Sequence, residues 1–435
     1  MSQRDLEAES IYEYYSPVQQ GHEEIIEALR HQLARVSENV LGREEIIEQF
    51  TFALLTRNHQ LMLGRTGIAK SLLATEIFRI FDPRGVTTFM IKASVEDTKD
   101  NYFGPIDIPR YRNTGQKVRR TEKSVLEAHF AFIDEIFDTN EQILRDIMLL
   151  LSDGKLLEGS QSYKGRLHTV IAASNYLRMN EVTEAVIDRF FFRANIPHET
   201  ETLTQYKIDR SYERGQSSGL YPGNLSIEEI NYLSSIVKGV SEDVVIELPS
   251  DMLYVKNIVI RSFVDTMRKT DPEFYISPRR QAKVIDLLRA SALLAGRNVV
   301  EEPDLEKMYM GLCTLNSENG ETEVFRKTVR NTLQFLSADQ TVREQITFLS
   351  GVLNGIDEFK RNPRQGVVNL SKFAPPRRRW RHDFLRIVRK PEDQMVFKLE
   401  TLAQKVNEIK TSTLYVDELK NGCLHELQKL RRIDS

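Results

Sequence analysis

The sequence predicts an α/β fold: a parallel sheet covered by helices, followed by two helical regions. Five short apolar runs of strand length alternate with helical stretches, and helical periodicity continues alone after the fifth run. Nearly all-apolar strands are typical of a sheet that is buried on both faces. The predicted strands are Gln60–Leu63, Thr87–Ile91, His129–Ile133, Thr169–Ala173 and Phe190–Ile196.

Apolar periodicity, glycines and prolines divide the chain into regions. A polar start and an amphipathic helix, with Ile25, Leu29 and Leu33 on its apolar side, precede the sheet domain. Two glycine-containing segments, 94–124 and 152–168, interrupt the alternation and are predicted to be inserted hairpins. The predicted regions are an N-terminal helical segment at 1–36, the α/β domain at 37–210, a boundary at 211–225, a helical domain at 226–335 and a helical C-terminal region at 341–435.

The composition is that of an ordinary globular protein. Of the 435 residues, 40% are hydrophobic and 28% are charged, and the net charge is −3. These values exclude a disordered or collagen-like chain and give no general attraction to nucleic acid. We expect a cytoplasmic protein without a membrane span, because no apolar run approaches ~20 residues and the N-terminus is polar. Cys313, Cys423 and the scattered histidines predict neither a disulfide framework nor zinc.

The C-terminal region has two features of its own. A basic cluster at Arg377–Arg381, which contains Trp380, is a candidate for binding nucleic acid or an acidic protein surface. The alternative is a solvated face that pairs with acidic neighbours. A long helix is predicted over 392–430, and the apolar seam within it is either an intramolecular helix contact or a short coiled coil.

A glycine-rich loop joins the first predicted strand to a helix. Glycines let backbone N–H groups surround phosphate oxygens, and the helix N-terminus adds positive potential. Lys70 is expected to reach the β- and γ-phosphates, and Ser71 to bind Mg²⁺. Ala69 stands where glycine is usual in such loops, and alanine is acceptable there if the residue has a negative φ. The alternative to a phosphate-binding loop is a plain glycine turn between strand and helix. The candidate nucleotide-binding residues are Gly64, Arg65, Thr66, Gly67, Ile68, Ala69, Lys70, Ser71 and Leu72.

Polar residues follow two later strands of the same domain. The buried run at 130–133 ends in Asp134, a candidate for the magnesium shell, and Glu135, a candidate to orient and deprotonate the attacking water. Asn175, at another strand tip, is a candidate to hold that water opposite Glu135. Without the phosphate loop, these residues would be ordinary solvated acids and a turn asparagine.

Two arginines, one just before the fifth predicted strand and one within it, are candidates for contact with a nucleotide. Arg189 is predicted to open the strand, either as an ion pair with Asp188 or as a group that faces the γ-phosphate of a neighbouring subunit. Arg193 is a second candidate, although it lies within the strand.

These motifs together resemble the AAA+ ATPases and, more closely, the RavA-like branch of the MoxR family. The resemblance covers about residues 20–335, and the inserts resemble the helix-2 insert and the pre-sensor-1 hairpin. The residues that carry it are Gly64–Ser71, Asp134-Glu135, Asn175, Asp188-Arg189-Phe190 and Ser277-Pro278-Arg279-Arg280.

The resemblance implies a P-loop core with strand order 5-1-4-3-2, a helical lid, and Mg²⁺-dependent ATP hydrolysis in a ring that is usually a hexamer. It implies Asn175 as sensor 1, Arg189 as an arginine finger in trans, and Arg279 as sensor 2, with Arg280 an open alternative. Val40 and Gly42 match the segment that borders adenine. The small β-domain of RavA-like members has no clear counterpart in 341–435.

Three functions compete at this point. The first is an ATP-driven, chaperone-like motor that remodels or activates a protein partner, which in MoxR systems often carries a von Willebrand A domain. The second is a nucleic-acid-stimulated motor of the helix-2-insert clade, which the near-neutral charge disfavours. The third is a slowly hydrolysing scaffold or switch.

Overall fold

The computed structural model comprises two compact units. One unit contains 1–247 and 271–326, and the other contains 248–270 and 327–435. The described residues are 21–177, 180–197, 201–213, 223–362, 370, 372–373, 391–411 and 413–433. The predicted boundary at 211–225 lies largely outside the described residues, and the basic cluster Arg377–Arg381 lies wholly outside them.

The first unit alternates helices and strands as the sequence predicts. Its helices are α1 (His22–Asn39), α2 (Glu44–Leu55), α3 (Lys70–Phe78), α4 (Lys99–Phe103), α5 (Ile108–Thr114), α6 (Glu141–Asp153), α7 (Glu181–Arg189), α8 (Thr202–Glu213), α9 (Ile227–Lys238), α11 (Pro278–Leu294), α12 (Glu302–Lys307) and α13 (Tyr309–Leu312). Its strands are β1 (Gln60–Leu63), β2 (Thr88–Lys92), β3 (Phe130–Asp134), β4 (Lys155–Glu158), β5 (Gln161–Lys164), β6 (Thr169–Ser174), β7 (Phe192–Asn195) and β8 (Thr314–Leu315).

The main sheet is parallel and runs in the order β2-β3-β6-β1-β7-β8. Its first five positions confirm the predicted 5-1-4-3-2 arrangement. The sequence did not predict β8, a two-residue strand that pairs Arg193 with Thr314 and Ala194 with Leu315. So short a strand carries no periodicity signal, and it forms because its partner β7 is already in place.

The sheet is buried on both faces, as its all-apolar strands require. On one face, Leu61, Ile133 and Ala172 join a core with buried side chains of α6 and α7. On the other face, Phe130 stacks on Phe81, with ring centroids 4.2 Å apart. The strands are therefore fixed between two helical layers, and their carboxyl ends meet at one edge.

The two predicted hairpins differ in outcome. Residues 155–164 form a hairpin, β4 and β5. The hairpin predicted over 94–124 is wrong: this segment folds into α4 and α5, closed by one antiparallel bridge between Ile106 and Arg119. Local capping explains the helices, because Thr98 begins α4 with a capping box and Asp107 caps α5 ahead of Pro109.

Arg119 connects these two inserted segments. Its side chain is 3% exposed and holds the Glu158 carboxylate of β4 through two N–H bonds of 2.6 and 3.0 Å. Its Nη1 also donates to Asp100 of α4 at 2.6 Å and to the Gly104 carbonyl at 2.5 Å. A bidentate, buried arginine–carboxylate pair has a fixed geometry, so the segments form one body.

The second unit is helical, and it corrects two predictions. Its helices are α10 (Ser250–Met267), the end of α14 (Glu321–Ala338), α15 (Gln340–Arg361), α16 (Pro391–Glu408) and α17 (Leu414–Ile433). The predicted domain at 226–335 is thus divided, because α10 packs with α15 rather than with the helices that surround it in sequence. The long helix predicted over 392–430 is two helices, interrupted near Thr413, where the apolar spacing slips.

Candidate functional site

The glycine-rich loop passes from the end of β1 into α3. Gly64 has φ +154° and Gly67 has φ +86°, backbone conformations that side chains rarely adopt. A Cβ at Gly64 would also lie 3.0 Å from the Ile196 carbonyl oxygen. The Gly64 amide donates to the Ser174 carbonyl at 3.1 Å, which ties the loop to the end of β6. The loop has the open, anion-accepting shape that the sequence predicts.

Ala69 contradicts the expectation of a negative φ. It precedes α3 with φ +65° and ψ +25°, in the left-handed region. The turn from loop to helix demands this conformation, and for an L-residue it costs roughly 1–2 kcal/mol. The departure from glycine at this position therefore stores strain in the loop.

Lys70 and Ser71 meet groups from other strands. The Lys70 ammonium, in a residue that is 6% exposed, donates to Asn175 Oδ1 at 2.6 Å and to the carbonyls of Gly64 and Arg65 at 2.5 and 3.1 Å. Burial lowers the pKa of Lys70, while the nearby carboxylates of Glu135 and Asp134 act in the opposite direction. Ser71 Oγ donates to Asp134 Oδ2 at 3.0 Å.

Asn175 bridges Lys70 and Glu135. Its backbone N–H donates to Glu135 Oε2 at 2.9 Å, and its side-chain amide donates to Glu135 Oε1. Glu135 is 6% exposed and also left-handed, at φ +53°. The sequence predicted Asn175 and Glu135 on opposite sides of a water, whereas here they are in direct contact.

Sequence reasoning missed a second contact beside this one. The Tyr176 hydroxyl donates to Asp138, which joins the loop after β6 to the turn after β3. The sequence feature that could have indicated this contact is Tyr176 itself, an aromatic residue with a hydroxyl group directly after Asn175 at the end of a strand.

The turn between α1 and α2 lies near the same loop. Val40 is buried, and Gly42 has φ +71°. Arg43 donates to the Pro197 carbonyl at 3.2 Å, and Ile196, next to Pro197, lies against Gly64. Leu72 is 50% exposed just after Ser71. These positions are compatible with a border around a bound base.

Arg189 lies at the opposite edge of the sheet. It ends α7 rather than opening the strand, because the helix continues through it and β7 starts at Phe192. Phe192 is in register with Gln60, at the start of β1, whereas the phosphate loop follows Leu63 at its end. Four strand residues separate the edges by about 13 Å. Arg189 therefore does not meet the phosphate loop of its own chain.

Arg279 and Arg280 are at this second edge too, since Ser277 just before them donates to Asp188 at 3.0 Å. Arg280 is 5% exposed and donates to the Gly311 carbonyl at 2.5 Å. Arg279 is partly exposed and is the more available of the two.

The residues at the phosphate-loop edge fit a magnesium nucleotide. A serine hydroxyl and an aspartate carboxylate are the hard oxygen ligands that Mg²⁺ takes, usually with waters and phosphate oxygens completing the shell. Among the described residues, no group of three or more His, Cys, Asp or Glu could hold a metal by itself.

Two family models match consecutive parts of the chain. Residues 27–234 match the MoxR domain of MoxR-vWA-beta-propeller ternary systems, and residues 253–322 match an AAA lid domain. The chain therefore contains a region similar to MoxR domains, followed by a region similar to AAA lid domains. No helix among the described residues is long and apolar enough to cross a membrane.

Two curated relatives and one solved structure are also similar to this chain. The uncharacterized proteins MJ0079 and MJ0812 of Methanocaldococcus jannaschii are 28% and 25% identical over 290 and 288 residues, which cover 64% and 65% of this chain and 69% of each relative. A crystal structure from Cytophaga hutchinsonii, provisionally described as an ATPase, shares the fold. Its TM-score is 0.55 at 14% identity, over 72% of this chain and 95% of that one.

Proposed function

We propose that this MoxR-type AAA+ protein hydrolyses ATP with Mg²⁺ and uses the energy to remodel or activate a protein partner. The observation that carries the proposal is the set of side chains at one sheet edge. Lys70, Asn175 and Glu135 form a continuous hydrogen-bonded chain, and Ser71 bonds to Asp134 beside it.

Each of these groups has a distinct part in the proposed reaction. Lys70 binds phosphate oxygens, and Ser71 with Asp134 would hold Mg²⁺, which supplies charge neutralisation when bound. Glu135 orients the water and accepts its proton, which requires release of at least one of its bonds from Asn175. Asn175 contacts both Lys70 and Glu135, so it links phosphate binding to the position of the base.

Arg189 is proposed to act on the nucleotide of a neighbouring subunit. Its position at the edge opposite the phosphate loop supports this assignment, and its side chain is 24% exposed. Its nearest carboxylate oxygen, of Asp188, is 3.7 Å away, too long for a strong pair. Arg279 is proposed to act as sensor 2, with Arg280 as the open alternative. An arginine that acts on a neighbouring subunit requires a ring, for which a hexamer is the proposed form.

The proposed partner carries a von Willebrand A domain, since the matched family model describes MoxR domains of systems that include one. The finer RavA-like assignment and the cytoplasmic location stay predictions.

The test uses subunit mixing. Lys70→Ala should lose ATP binding, whereas Glu135→Gln should bind ATP and lose turnover because an amide cannot accept the proton. Arg189→Ala should bind ATP and hydrolyse it ~10³-fold more slowly. Mixing Arg189→Ala with Lys70→Ala subunits should restore part of the rate, because some interfaces then combine an intact arginine with an intact phosphate loop.

Arg84→Ala is the matched control, because Arg84 is an exposed arginine that pairs locally with Asp82 at 2.9 Å. It should keep the full rate. Mixtures that stay inactive while both variants still assemble would refute the trans arginine. Normal turnover by Glu135→Gln would refute the base.

A further inference from the structure

The loop after β6 holds the turn after β3 at two points. Directly after β3, Glu135 leads into one turn of 3₁₀-helix, Ile136–Asp138. At the first point, Asn175 donates its backbone N–H and its side-chain amide to the Glu135 carboxylate. At the second point, the hydroxyl of the next residue, Tyr176, donates to Asp138. Two consecutive residues of one loop therefore contact the two ends of the turn that carries the proposed base.

The turn is closed within itself, so that a contact at one end constrains the other. The Asp138 backbone N–H donates to the Glu135 carbonyl at 2.7 Å. Glu135 has φ +53°, a left-handed conformation that an L-residue keeps only when its surroundings hold it there. Among the described residues, the Asp138 carboxylate has one hydrogen-bond partner, the Tyr176 hydroxyl. Without that hydroxyl, the Asp138 end of the turn would lose its tie to β6.

Tyr176 is itself fixed to the end of β6. Ser174, the last residue of that strand, is 1% exposed. Its hydroxyl donates to the Tyr176 carbonyl at 2.7 Å, and its own carbonyl accepts the Gly64 N–H at 3.1 Å. The Tyr176 side chain therefore extends from a point that is also tied to the phosphate loop.

The two contacts differ in what the proposed reaction demands of them. Glu135 must release at least one of its bonds from Asn175 before its carboxylate can accept a proton from water. The contact between Tyr176 and Asp138 can persist throughout, since neither side chain takes part in that proton transfer. We propose that Tyr176, acting through Asp138, is a positioning residue that keeps the Glu135 backbone in place while Asn175 releases the carboxylate. This inference rests on the proposed hydrolysis and adds to it two residues that act only through the backbone of the base.

The first experiment examines the turn without nucleotide, by amide hydrogen exchange. In Tyr176→Phe, the Asp138 amide should exchange about tenfold faster or more than in wild type, because the turn then opens locally more often. Asp138→Ala should have a similar effect at this amide, and the double variant should have no greater one, since the second change removes nothing further. An unchanged exchange rate in Tyr176→Phe would overturn the proposal.

The second experiment measures steady-state hydrolysis and, separately, the Kd of a fluorescent ATP analogue. Tyr176→Phe should lower kcat about tenfold or more, because a misplacement of about 1 Å can cost ~10²-fold in rate. Its KM and the analogue Kd should change less than about twofold, since the phosphate loop is intact. Asp138→Asn should keep most of kcat, because its side-chain oxygen still accepts the hydroxyl, whereas Asp138→Ala should match Tyr176→Phe.

Tyr163→Phe is the matched control. The Tyr163 hydroxyl accepts the Arg119 N–H at 2.9 Å beside the β4–β5 hairpin, so this variant also loses a bonded hydroxyl, but away from the base. It should keep both kcat and the exchange rate of the Asp138 amide.

The remaining outcomes separate this proposal from the proposed function. A normal kcat in Tyr176→Phe, with wild type active, would overturn the positioning role and leave ATP hydrolysis standing. An equal loss of analogue binding in that variant would also overturn it, because the hydroxyl would then support the site as a whole. A wild type that binds ATP but hydrolyses none would refute the proposed function, and the role of Tyr176 in turnover would fall with it.

Discussion

Ala69→Gly should stabilise the protein, although glycine usually weakens the start of a helix. Ala69 has φ +65°, a conformation that costs an L-residue roughly 1–2 kcal/mol and glycine nothing. The greater conformational entropy of glycine in the unfolded chain opposes this gain by about 0.4–1 kcal/mol. The net expectation is about 0.5–1 kcal/mol in favour of the variant, or a rise in Tm of roughly 1–4 °C.

Ala74→Gly provides a control of opposite sign in the same helix. Ala74 is fully buried within α3, where glycine costs about 1 kcal/mol from propensity alone. Both variants would be compared with wild type by urea unfolding without nucleotide. A loss of stability in Ala69→Gly similar to that in Ala74→Gly would refute the left-handed conformation and the strain inferred from it.

Three further predictions concern stability. Gly104→Ala should prevent stable folding, because Gly104 has φ +84° and a Cβ there would lie 1.9 Å from the Arg120 carbonyl oxygen. The yield of soluble protein should fall sharply for this variant. Gly85→Ala is the control and should keep its yield, because no atom lies within 4 Å of a Cβ at Gly85. Burial lowers the pKa of His59 from 6.5 to about 3. The free energy of unfolding should therefore fall as pH drops from about 6.5 toward 3, because in this range only the unfolded chain takes up the proton. Urea unfolding at several pH values should show a weaker pH dependence of stability for His59→Asn than for wild type. A chain that ends at Asp339 should aggregate or bind a hydrophobic dye, because it lacks α15, which packs on α10, and α17, which packs on α15. A soluble, dye-negative truncation would contradict this packing.

The strands and the phosphate loop were predictable because their signals are local. Five apolar runs gave five strands, and residues 64–71 gave the loop. The contacts of Asn175 with Lys70 and Glu135 could not be predicted in this way, because they join residues that are 105 and 40 positions apart in the sequence. Only the parallel sheet, which gathers strand ends at one edge, brings them together.

The errors have physical causes of the same kind. The φ of Ala69 is set by how the loop enters the helix, which no residue pattern reports. The helices at 99–114 had capping signals, at Thr98 and Asp107, but glycines and charges suggested a hairpin. The grouping of α10 with α15 depends on which apolar faces meet, and helical periodicity does not specify a partner.

The strand β8 has a consequence for how the protein is made. It pairs with β7 across a separation of 121 positions, as Arg193 with Thr314 and Ala194 with Leu315, and Asn195 and Asn316 exchange side-chain hydrogen bonds of 3.3 and 3.1 Å. During synthesis, the outer edge of β7 therefore stays open until more than a hundred further residues have left the ribosome. An open strand edge is a template for association with other chains. Nascent chains that stall between β7 and β8 should consequently be the species that most require chaperones.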